Sequence, residues 1–393
     1  MNHISNSNSD SRRMSLCIGM PVFVFLCFIA VRSLFFEVGH RWTYILLFSA
    51  ALSASLTPLS RLIAFHFGAL DRPGGHKIHK EPTALLGGIP ILFGFVLPLL
   101  VNGIFTCELT AIVLAALVLF VVGAVDDVRN TPASWKLAIQ VVLAIGLNIC
   151  GVRLTILPES SAFGLLFNGI LSTVWIVGIT NAMNFFDGMD GLATGLGGII
   201  AFFLALVAHR MGTPFEGWAS LAMLGSCAGF LPYNFRPGKR ATIFLGDAGS
   251  TVIGFVLASL AIYTSWDDLK PVVSIASPLL IFGLLILDMC YITLFRIIQG
   301  NVRNFRQWID YVGHDHLHHR IASVLGGTAQ SVFFIYILSI CLGLSALLLP
   351  HLPIGDAYIL LAQAALIFLM VSVLERKGRS IANNGKVHTL VDS

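Results

Sequence analysis

"VWIVGITNAMNFFDGMDGLATGLGGIIAFFLALVA", residues 174–208, holds Asp187 and Asp190 between two apolar segments that contain no charged residue. Apolar segments of about 17 to 25 residues are long enough to cross a bilayer as helices. A carboxylate at membrane depth is costly, and its presence there indicates a functional site. The stretch therefore predicts two membrane-spanning helices with a polar site at the ends where they meet.

The same pattern runs through the whole chain of 393 residues, of which 56% are hydrophobic and only 11% are charged. A soluble domain carries about 25% charged residues, so the composition excludes an ordinary soluble protein. We predict an all-α polytopic membrane protein with about 11–12 transmembrane helices. The predicted spans are 15–36, 43–66, 87–105, 109–125, 137–152, 163–180, 193–209, 219–235, 251–265, 274–296, 331–350 and 356–374.

Lys and Arg residues are distributed unevenly between the two ends of these spans. Of the 24 in the chain, 19 lie in loops on one side. Because cytoplasmic loops are enriched in Lys and Arg, these loops and both termini are predicted to lie in the cytoplasm. The opposite side holds Arg32, Arg41, Arg153, Arg210 and Lys270.

The predicted domain organisation has three parts. They are an N-terminal extension with an extra transmembrane helix (1–42), a transmembrane domain (43–375) and a polar cytoplasmic tail (376–393). The first apolar run also has features of a signal peptide, because Arg12 and Arg13 precede it. It is long for the apolar core of a signal peptide and no small-residue cleavage site follows, so we expect a retained helix.

Five polar clusters interrupt the apolar pattern, and all five fall in loops assigned to the cytoplasm. Because the topology was assigned from Lys and Arg alone, their common side predicts a single site on the cytoplasmic face. The clusters are "DRPGGHKIHKEP" (71–82), "DDVRN" (126–130), "NFFDGMDGLATG" (184–195), "FRPGKRATIFLGDAGS" (235–250) and "NVRNFRQWIDYVGHDHLHHR" (301–320).

Pairs of aspartates are the main feature of two of these clusters. Asp126 and Asp127 lie at the predicted C-terminus of a helix, where the helix dipole disfavours negative charge. They therefore indicate a bound cation or a reacting group, with an ordinary solvated helix end as the alternative. In the third cluster a polar residue recurs every three positions, which predicts a stripe on one helix face or a polar helix cap. The members of this stripe are Asn181, Asn184, Asp187 and Asp190.

The other clusters combine acidic or basic groups with glycine or histidine. In "GDAGS", Asp247 precedes an apolar helix, whose first N–H groups are predicted to attract phosphate while the carboxylate holds Mg²⁺. Lys77 lies between two histidines, where it could bind an anion or serve only as a cytoplasmic charge. The histidine cluster suggests zinc, but no cysteine is nearby and a cationic loop facing phosphate is favoured. Its members are His314, His316, His318, His319 and Arg320.

Together these residues are suited to phosphoryl transfer. Carboxylates, water and phosphate oxygens form the usual Mg²⁺ environment. Phosphoryl transfer depends on positioning and on cations around the developing charge. A site at the membrane surface can bind a soluble nucleotide on one side and a lipid on the other. The residues therefore predict a Mg²⁺-dependent transferase that acts on a lipid phosphate.

Five motifs, in this order, resemble those of the polyprenyl-phosphate N-acetylhexosamine-1-phosphate transferase superfamily, which includes the phospho-MurNAc-pentapeptide transferases. The resemblance implies transfer of a sugar 1-phosphate from a UDP-sugar to undecaprenyl phosphate, with release of UMP. It also implies a requirement for Mg²⁺, with Mn²⁺ as a substitute. The motifs are "DRPGGHKIHKEPTALLGGIP", "GAVDD", "NAMNFFDGMDGLATG", "FLGDAGS" and "HDHLHHR".

The resemblance also implies roles for individual residues. The implied catalytic residues are Asp126, Asp127 and His318. The implied metal ligands are Asp247 and Asp187. The implied substrate-binding residues are Lys77, Asn184, Asp190, His316, His319, Arg320 and Arg303.

The implied substrate is UDP-N-acetylglucosamine, because "HDHLHH" lacks the triple-histidine run of the MurNAc-pentapeptide enzymes. Another UDP-N-acetylhexosamine and UDP-MurNAc-pentapeptide are the alternatives. The expected partners are this nucleotide sugar, undecaprenyl phosphate, the lipid bilayer of a bacterial inner membrane and a second copy in a homodimer, with no nucleic acid. A cation-coupled transporter is the alternative of a different class, but transporters hold their ligands near the bilayer midplane.

Overall fold

The computed structural model describes residues 20–391 except 22–23, 26, 72–81, 130, 265–270, 301, 303–306 and 308–315. Most of this part of the chain, 81%, is helical. Helix α1 is described over 27–37. The helices that follow are α2 (Arg41–Phe67), α3 (Gly88–Val101), α4 (Cys107–Arg129), α5 (Ala133–Ile149), α6 (Ala162–Phe185), α7 (Leu192–Met211), α8 (Pro214–Asn234), α9 (Gly246–Tyr263), α10 (Pro271–Ile281), α11 (Gly283–Ile298), α12 (Leu317–Leu325), α13 (Thr328–Leu348) and α14 (Ile354–Val391).

The predicted fold class, an all-α polytopic membrane protein, is confirmed. Within the described residues, seven helical segments are long and apolar enough to cross a membrane: α2, α4, α6, α7, α9, α13 and the part of α14 from Gly355 to Leu374. Helices α3 and α5 are shorter and apolar, while α8 packs mainly against α2 and α7. Each of the twelve predicted spans overlaps a helix of the structure, although the number that cross the membrane stays a prediction.

The tenth predicted span, 274–296, is not one straight helix. It is divided into α10 and α11, whose axes differ by 81°. Phe282 joins them with φ −95° and ψ 9°, outside the α-helical region. Pro278 inside α10 and Gly283 at the start of α11 both weaken helical continuity, which accounts for a sharp bend here.

Helix α9 lies at the centre of the bundle, with nearly all of its residues buried, and α4, α6 and α3 pack around it. Glycines allow their backbones to approach closely. A Cβ on Gly123 of α4 would lie 2.5 Å from Ala248 Cα, and one on Gly88 of α3 would lie 2.8 Å from the Ala248 carbonyl carbon. Small residues at helix interfaces are how membrane helices pack tightly. This packing brings the start of α9 against the end of α4.

Replacing Gly123 tests this contact. We expect Gly123→Ala to lower the free energy of unfolding by about 1–3 kcal/mol, because the new methyl group overlaps the α9 backbone. The matched control is Gly146→Ala in α5, where a Cβ would meet no atom within 4 Å. Thermal unfolding in detergent should show a loss for the first variant and none for the second. Equal unfolding temperatures would contradict the packing.

Candidate active site

Lys136 joins two of the predicted site residues. Its Nζ lies 2.7 Å from Asp126 Oδ2 and 2.6 Å from Asp247 Oδ2. The other oxygen of Asp126 accepts hydrogen bonds from the backbone N–H and the hydroxyl of Thr131, both at 2.6 Å. From the sequence, Lys136 is predicted only as one of the cytoplasmic charges. The signal that could have identified it is its place as the one charged residue of α5, in the first turn of an apolar helix.

The first amide groups of α9 are bound by two carboxylates. Asp127 accepts the backbone N–H of Asp247 at 2.8 Å and that of Ala248 at 3.3 Å. Asp187 accepts the N–H of Gly246. Helix N-termini carry unpaired N–H groups and a positive dipole end, both of which favour an anion. In this structure the protein's own aspartates accept three of these N–H groups, and the prediction that phosphate binds at this helix start stays a prediction.

Gly246 is required at this position for two reasons. Its φ of +72° lies in the left-handed region, where a side chain is strained. A Cβ on it would also lie 2.6 Å from Asp127 Oδ2. The glycine that precedes Asp247 therefore allows the Asp127 carboxylate to approach the start of α9.

The polar stripe predicted on one helix face is only partly helical. Helix α6 ends at Phe185, so Asn184 lies on it while Asp187 and Asp190 lie in the turn that leads to α7. Gly191, with φ +78°, ends this turn. The prediction of a stripe on one helix face is therefore wrong for the two aspartates, which lie in a turn between the predicted spans 163–180 and 193–209, where the glycines of the motif allow such a turn.

The turn nevertheless brings its polar side chains to α9 and to the loop before it. Asn184 Nδ2 donates to Asp247 Oδ1 at 3.0 Å and to Ser250 Oγ at 2.9 Å. Asp190 Oδ2 accepts the backbone N–H of Ala241 at 3.0 Å. Asn184 and Asp187 therefore contact the start of α9, whereas Asp190 holds the preceding loop.

The acidic residues of the site repel one another. The pKa of Asp187 is raised well above its usual value, first by burial and then by the charges of Asp247, Asp127 and Asp190. Protein atoms surround Asp187 on most sides, and a part of its surface is exposed to solvent. Bringing a cation to these carboxylates would relieve the repulsion and favour their ionised forms.

The donor set is suited to a metal that retains other ligands. Within the described ranges, no three His, Cys, Asp or Glu side chains converge in a metal-binding arrangement. Mg²⁺ is commonly bound by one or two carboxylates together with water and substrate phosphates. Asp247, in the first turn of α9, and Asp187, which accepts the N–H of Gly246 there, fit this requirement. The metal itself stays a prediction.

The histidine segment packs onto the turn that carries Asp187. His318, on α12, is buried, and its ring centroid lies 4.3 Å from that of His319. A Cβ on Gly188 would lie 2.5 Å from His318 Nε2, so the imidazole occupies the space beside this glycine. The structure therefore brings the predicted catalytic histidine next to the acidic turn.

Helix α11 anchors the same histidine segment. His316 Nδ1 lies 2.9 Å from Asp288 Oδ2, and the guanidinium of Arg320 lies over the rings of Tyr291 and Phe295, at 5.4 and 5.8 Å from their centroids. Asp288 is not among the site residues predicted from the sequence. The signal that could have identified it is an isolated acid within the apolar segment 274–296.

The zinc alternative can be compared with the ring geometry. The rings of His316 and His318 are stacked, with centroids 6.0 Å apart and an interplanar angle of 11°. Stacked imidazoles present their faces to each other rather than directing nitrogen atoms to one point. The preference for phosphate over zinc stays a prediction, and His314 lies outside the described residues.

Two predicted substrate-binding residues, Lys77 and Arg303, also lie outside the described residues. The flanks of the Lys77 loop are described. Strand β1 (Leu70–Asp71) pairs antiparallel with strand β2 (Thr83–Ala84), and Ala84 bridges to Ile243. Both ends of the loop 72–81 therefore lie beside the loop that leads into α9.

The fold and the site define a multi-pass membrane protein with clustered carboxylate, lysine and histidine side chains at one end of its helix bundle. Comparison with known proteins agrees with an enzyme of this description. The family model for glycosyl transferase family 4 matches residues 109–265, a range that contains Asp126, Asp127, Asp187 and Asp247.

Three relatives from bacteria illustrate the similarity. A probable undecaprenyl-phosphate N-acetylglucosaminyl 1-phosphate transferase of Bacillus subtilis is 33% identical over 305 residues, covering 76% of this chain and 82% of the relative. A decaprenyl-phosphate N-acetylglucosaminephosphotransferase of Mycobacterium tuberculosis is 30% identical over 308 residues, covering 70% and 74%. A phospho-N-acetylmuramoyl-pentapeptide-transferase of Shouchella clausii is 33% identical over 253 residues, covering 58% and 77%.

The chain therefore belongs to the polyprenyl-phosphate N-acetylhexosamine-1-phosphate transferase superfamily, within glycosyl transferase family 4. It is a polyprenyl-phosphate sugar-phosphate transferase, which confirms the resemblance read from the motifs. None of these similarities supports the transporter alternative.

Removing the ammonium of Lys136 tests its place between the two acids. We expect Lys136→Met to lower the free energy of unfolding by about 1–3 kcal/mol, since it leaves two neighbouring carboxylates without their shared cation. Adding Asp126→Asn should recover part of that loss. Arg153→Met is the control, because its ion pair with Glu159 is exposed and worth at most about 1 kcal/mol. Thermal unfolding in detergent measures all four proteins, and a Lys136→Met variant as stable as wild type would exclude the proposed contact.

Proposed function

We propose that this protein transfers N-acetylglucosamine 1-phosphate from UDP-N-acetylglucosamine to undecaprenyl phosphate and releases UMP. The product would start a lipid-linked cell-envelope glycan, such as an O-antigen, a teichoic acid or a capsule. Support comes from the Bacillus subtilis relative, a probable undecaprenyl-phosphate N-acetylglucosaminyl 1-phosphate transferase whose similarity covers 76% of this chain. Another UDP-N-acetylhexosamine and UDP-MurNAc-pentapeptide are the alternatives, the latter favoured less because the Shouchella clausii relative covers only 58% of the chain.

The observation that carries the proposal is the contact network at the start of α9. It joins Asp126, Lys136, Asp247 and Asn184 through direct hydrogen bonds. This arrangement places carboxylates and an ammonium side by side where three helices end or begin. Phosphoryl transfer requires such positioning and charge neutralisation rather than covalent help from the protein.

In the proposed reaction an oxygen of the lipid phosphate attacks the sugar-bearing phosphorus of the UDP-sugar. A new P–O bond forms as the bond to the UMP oxygen breaks, so the sugar 1-phosphate passes to the lipid and UMP leaves. The second pKa of a phosphate monoester is about 6, so the attacking oxygen is largely ionised at neutral pH. Asp126 and Asp127 therefore act by positioning and need not remove a proton.

Mg²⁺ is proposed as the cofactor, with Mn²⁺ as a substitute, and Asp247 and Asp187 would hold it. When bound, it would neutralise the negative charge of the phosphate oxygens. Lys136 would hold the Asp247 and Asp126 carboxylates in place. His318, next to Gly188, would contact the phosphates, with His316, His319 and Arg320 in the same segment.

We further propose that this site faces the cytoplasm of a bacterial inner membrane. The uneven distribution of Lys and Arg supports this orientation. Nucleotide sugars are soluble and would reach the site from the aqueous side, whereas undecaprenyl phosphate would reach it from the bilayer. A homodimer stays a prediction.

Release of UMP tests the proposal directly. Purified protein should release UMP from UDP-N-acetylglucosamine with undecaprenyl phosphate and Mg²⁺, should stop after chelation with EDTA and should recover when Mg²⁺ is added. Asp247→Asn should lower kcat by about 100-fold or more, because it removes a charged group from the phosphate site. Glu159→Gln is the matched control, since Glu159 is exposed in the loop after α5. Absence of UMP with every UDP-N-acetylhexosamine tried would reject the proposal.

The histidine segment makes a second test possible. We expect His318→Ala to lower turnover by about 100-fold without recovery on adding zinc, because the role assigned to His318 is contact with phosphate. The control is His209→Ala, because His209 lies in the last turn of α7, away from the site. Elemental analysis of the purified protein should find no stoichiometric zinc. One zinc per chain, lost in the His318 variant, would establish the zinc alternative instead.

A further inference from the structure

Asp288 is a buried acid that has no role in the proposed reaction as described above. It lies on α11, one and a half turns after the bend, and its exposed fraction is 1%. A carboxylate in an apolar helix is costly unless its oxygens are hydrogen-bonded. Its partners therefore indicate why an acid is present at this position.

Both oxygens of Asp288 bind the start of α12. Oδ1 accepts the backbone N–H of Leu317 at 2.7 Å, and Oδ2 lies 2.9 Å from His316 Nδ1. His316 precedes α12, and its own side chain does not cap the helix. One carboxylate from another helix thus supplies the N-terminal acceptor and fixes the imidazole of the residue before it.

The bond to Asp288 determines which nitrogen of His316 carries hydrogen. An ionised carboxylate can only accept hydrogen bonds, so Nδ1 is the donor. Nε2 is then the nitrogen available to a ligand. The ring orientation is also fixed by stacking on Phe185, whose centroid lies 5.0 Å away at an interplanar angle of 23°.

The same stack leads to the acidic turn. The His316 ring is stacked with that of His318, which in turn lies beside Gly188. Phe185 is the last residue of α6, immediately before this turn. A rotation of His316 would therefore disturb the contact between the histidine segment and the turn that carries Asp187.

We propose that Asp288 is a positioning residue that acts through His316. It holds the Nδ1–H form of the imidazole so that the Nε2 lone pair is presented to accept a hydrogen bond from a hydroxyl group of the substrate. The substrate in this inference is taken from the proposed function. The contact between Asp288 and His316 does not depend on that function.

The test uses the full-length protein in detergent with Asp288→Asn. The introduced amide keeps an oxygen for the Leu317 N–H but directs its NH₂ group to His316, so the imidazole proton should move from Nδ1 to Nε2. We expect kcat to fall about 10- to 100-fold, as for the loss of other carboxylates that orient a histidine. The unfolding temperature should change little, and Glu159→Gln should leave both quantities unchanged.

Two further measurements separate positioning from a structural role. In a His316→Gln background, Asp288→Asn should change kcat by less than about twofold, because the two residues act as one unit. Selective ¹⁵N-histidine labelling, with His316 assigned from the His316→Gln difference spectrum, should report Nδ1–H in wild type and Nε2–H in Asp288→Asn. Multiplied losses in the double variant, or an unchanged tautomer, would overturn the positioning role.

The two proposals can fail separately. A wild-type protein that releases no UMP from any UDP-N-acetylhexosamine would reject the proposed function, while the ¹⁵N spectrum would still decide whether Asp288 fixes His316. A wild-type protein that turns over normally, with losses that multiply in the double variant, would reject only the role of Asp288.

Discussion

The start of α9 is the point on which the rest of the site depends. Three consecutive backbone N–H groups there are accepted by Asp187 and Asp127, which come from different parts of the chain. Because an unpaired N–H group is costly when buried, these bonds fix where the end of α4 and the turn after α6 must lie. Asp247, the second residue of α9, is thereby placed within reach of both Lys136 and Asn184.

The aspartates of the different motifs have different structural roles in this arrangement. Asp127 and Asp187 bind backbone groups, Asp126 and Asp247 share an ammonium, and Asp190 holds a loop. Motifs that look alike in sequence thus supply structural acceptors as well as candidate ligands. The acids that are partly exposed, together with the histidine segment, are the residues proposed to bind a phosphate-bearing substrate.

The apolar segments could be predicted from the sequence because length and hydropathy are properties of one stretch of chain. The approach of Asp126, Asp187 and Asp247 to one another could be predicted as well, because loops assigned to one side of a membrane are expected to share a face. The contacts could not be predicted, since Lys136 meets Asp247 across 111 positions and Asp288 meets His316 across 28 positions. Asp187 and Asp190 were predicted to continue a stripe on one helix face because a spacing of three residues is compatible with a helix. The same spacing is compatible with a turn, which the neighbouring glycines favour.

The direction of the caps has a consequence for biogenesis. The acceptors for the first amides of α9 belong to α4 and to the turn after α6, and the acceptor for α12 belongs to α11. Each acceptor therefore precedes its helix in the chain and is synthesised earlier. When α9 or α12 is synthesised, the carboxylates that accept its first amide groups are already part of the chain. These N-terminal contacts can therefore form in the order of synthesis.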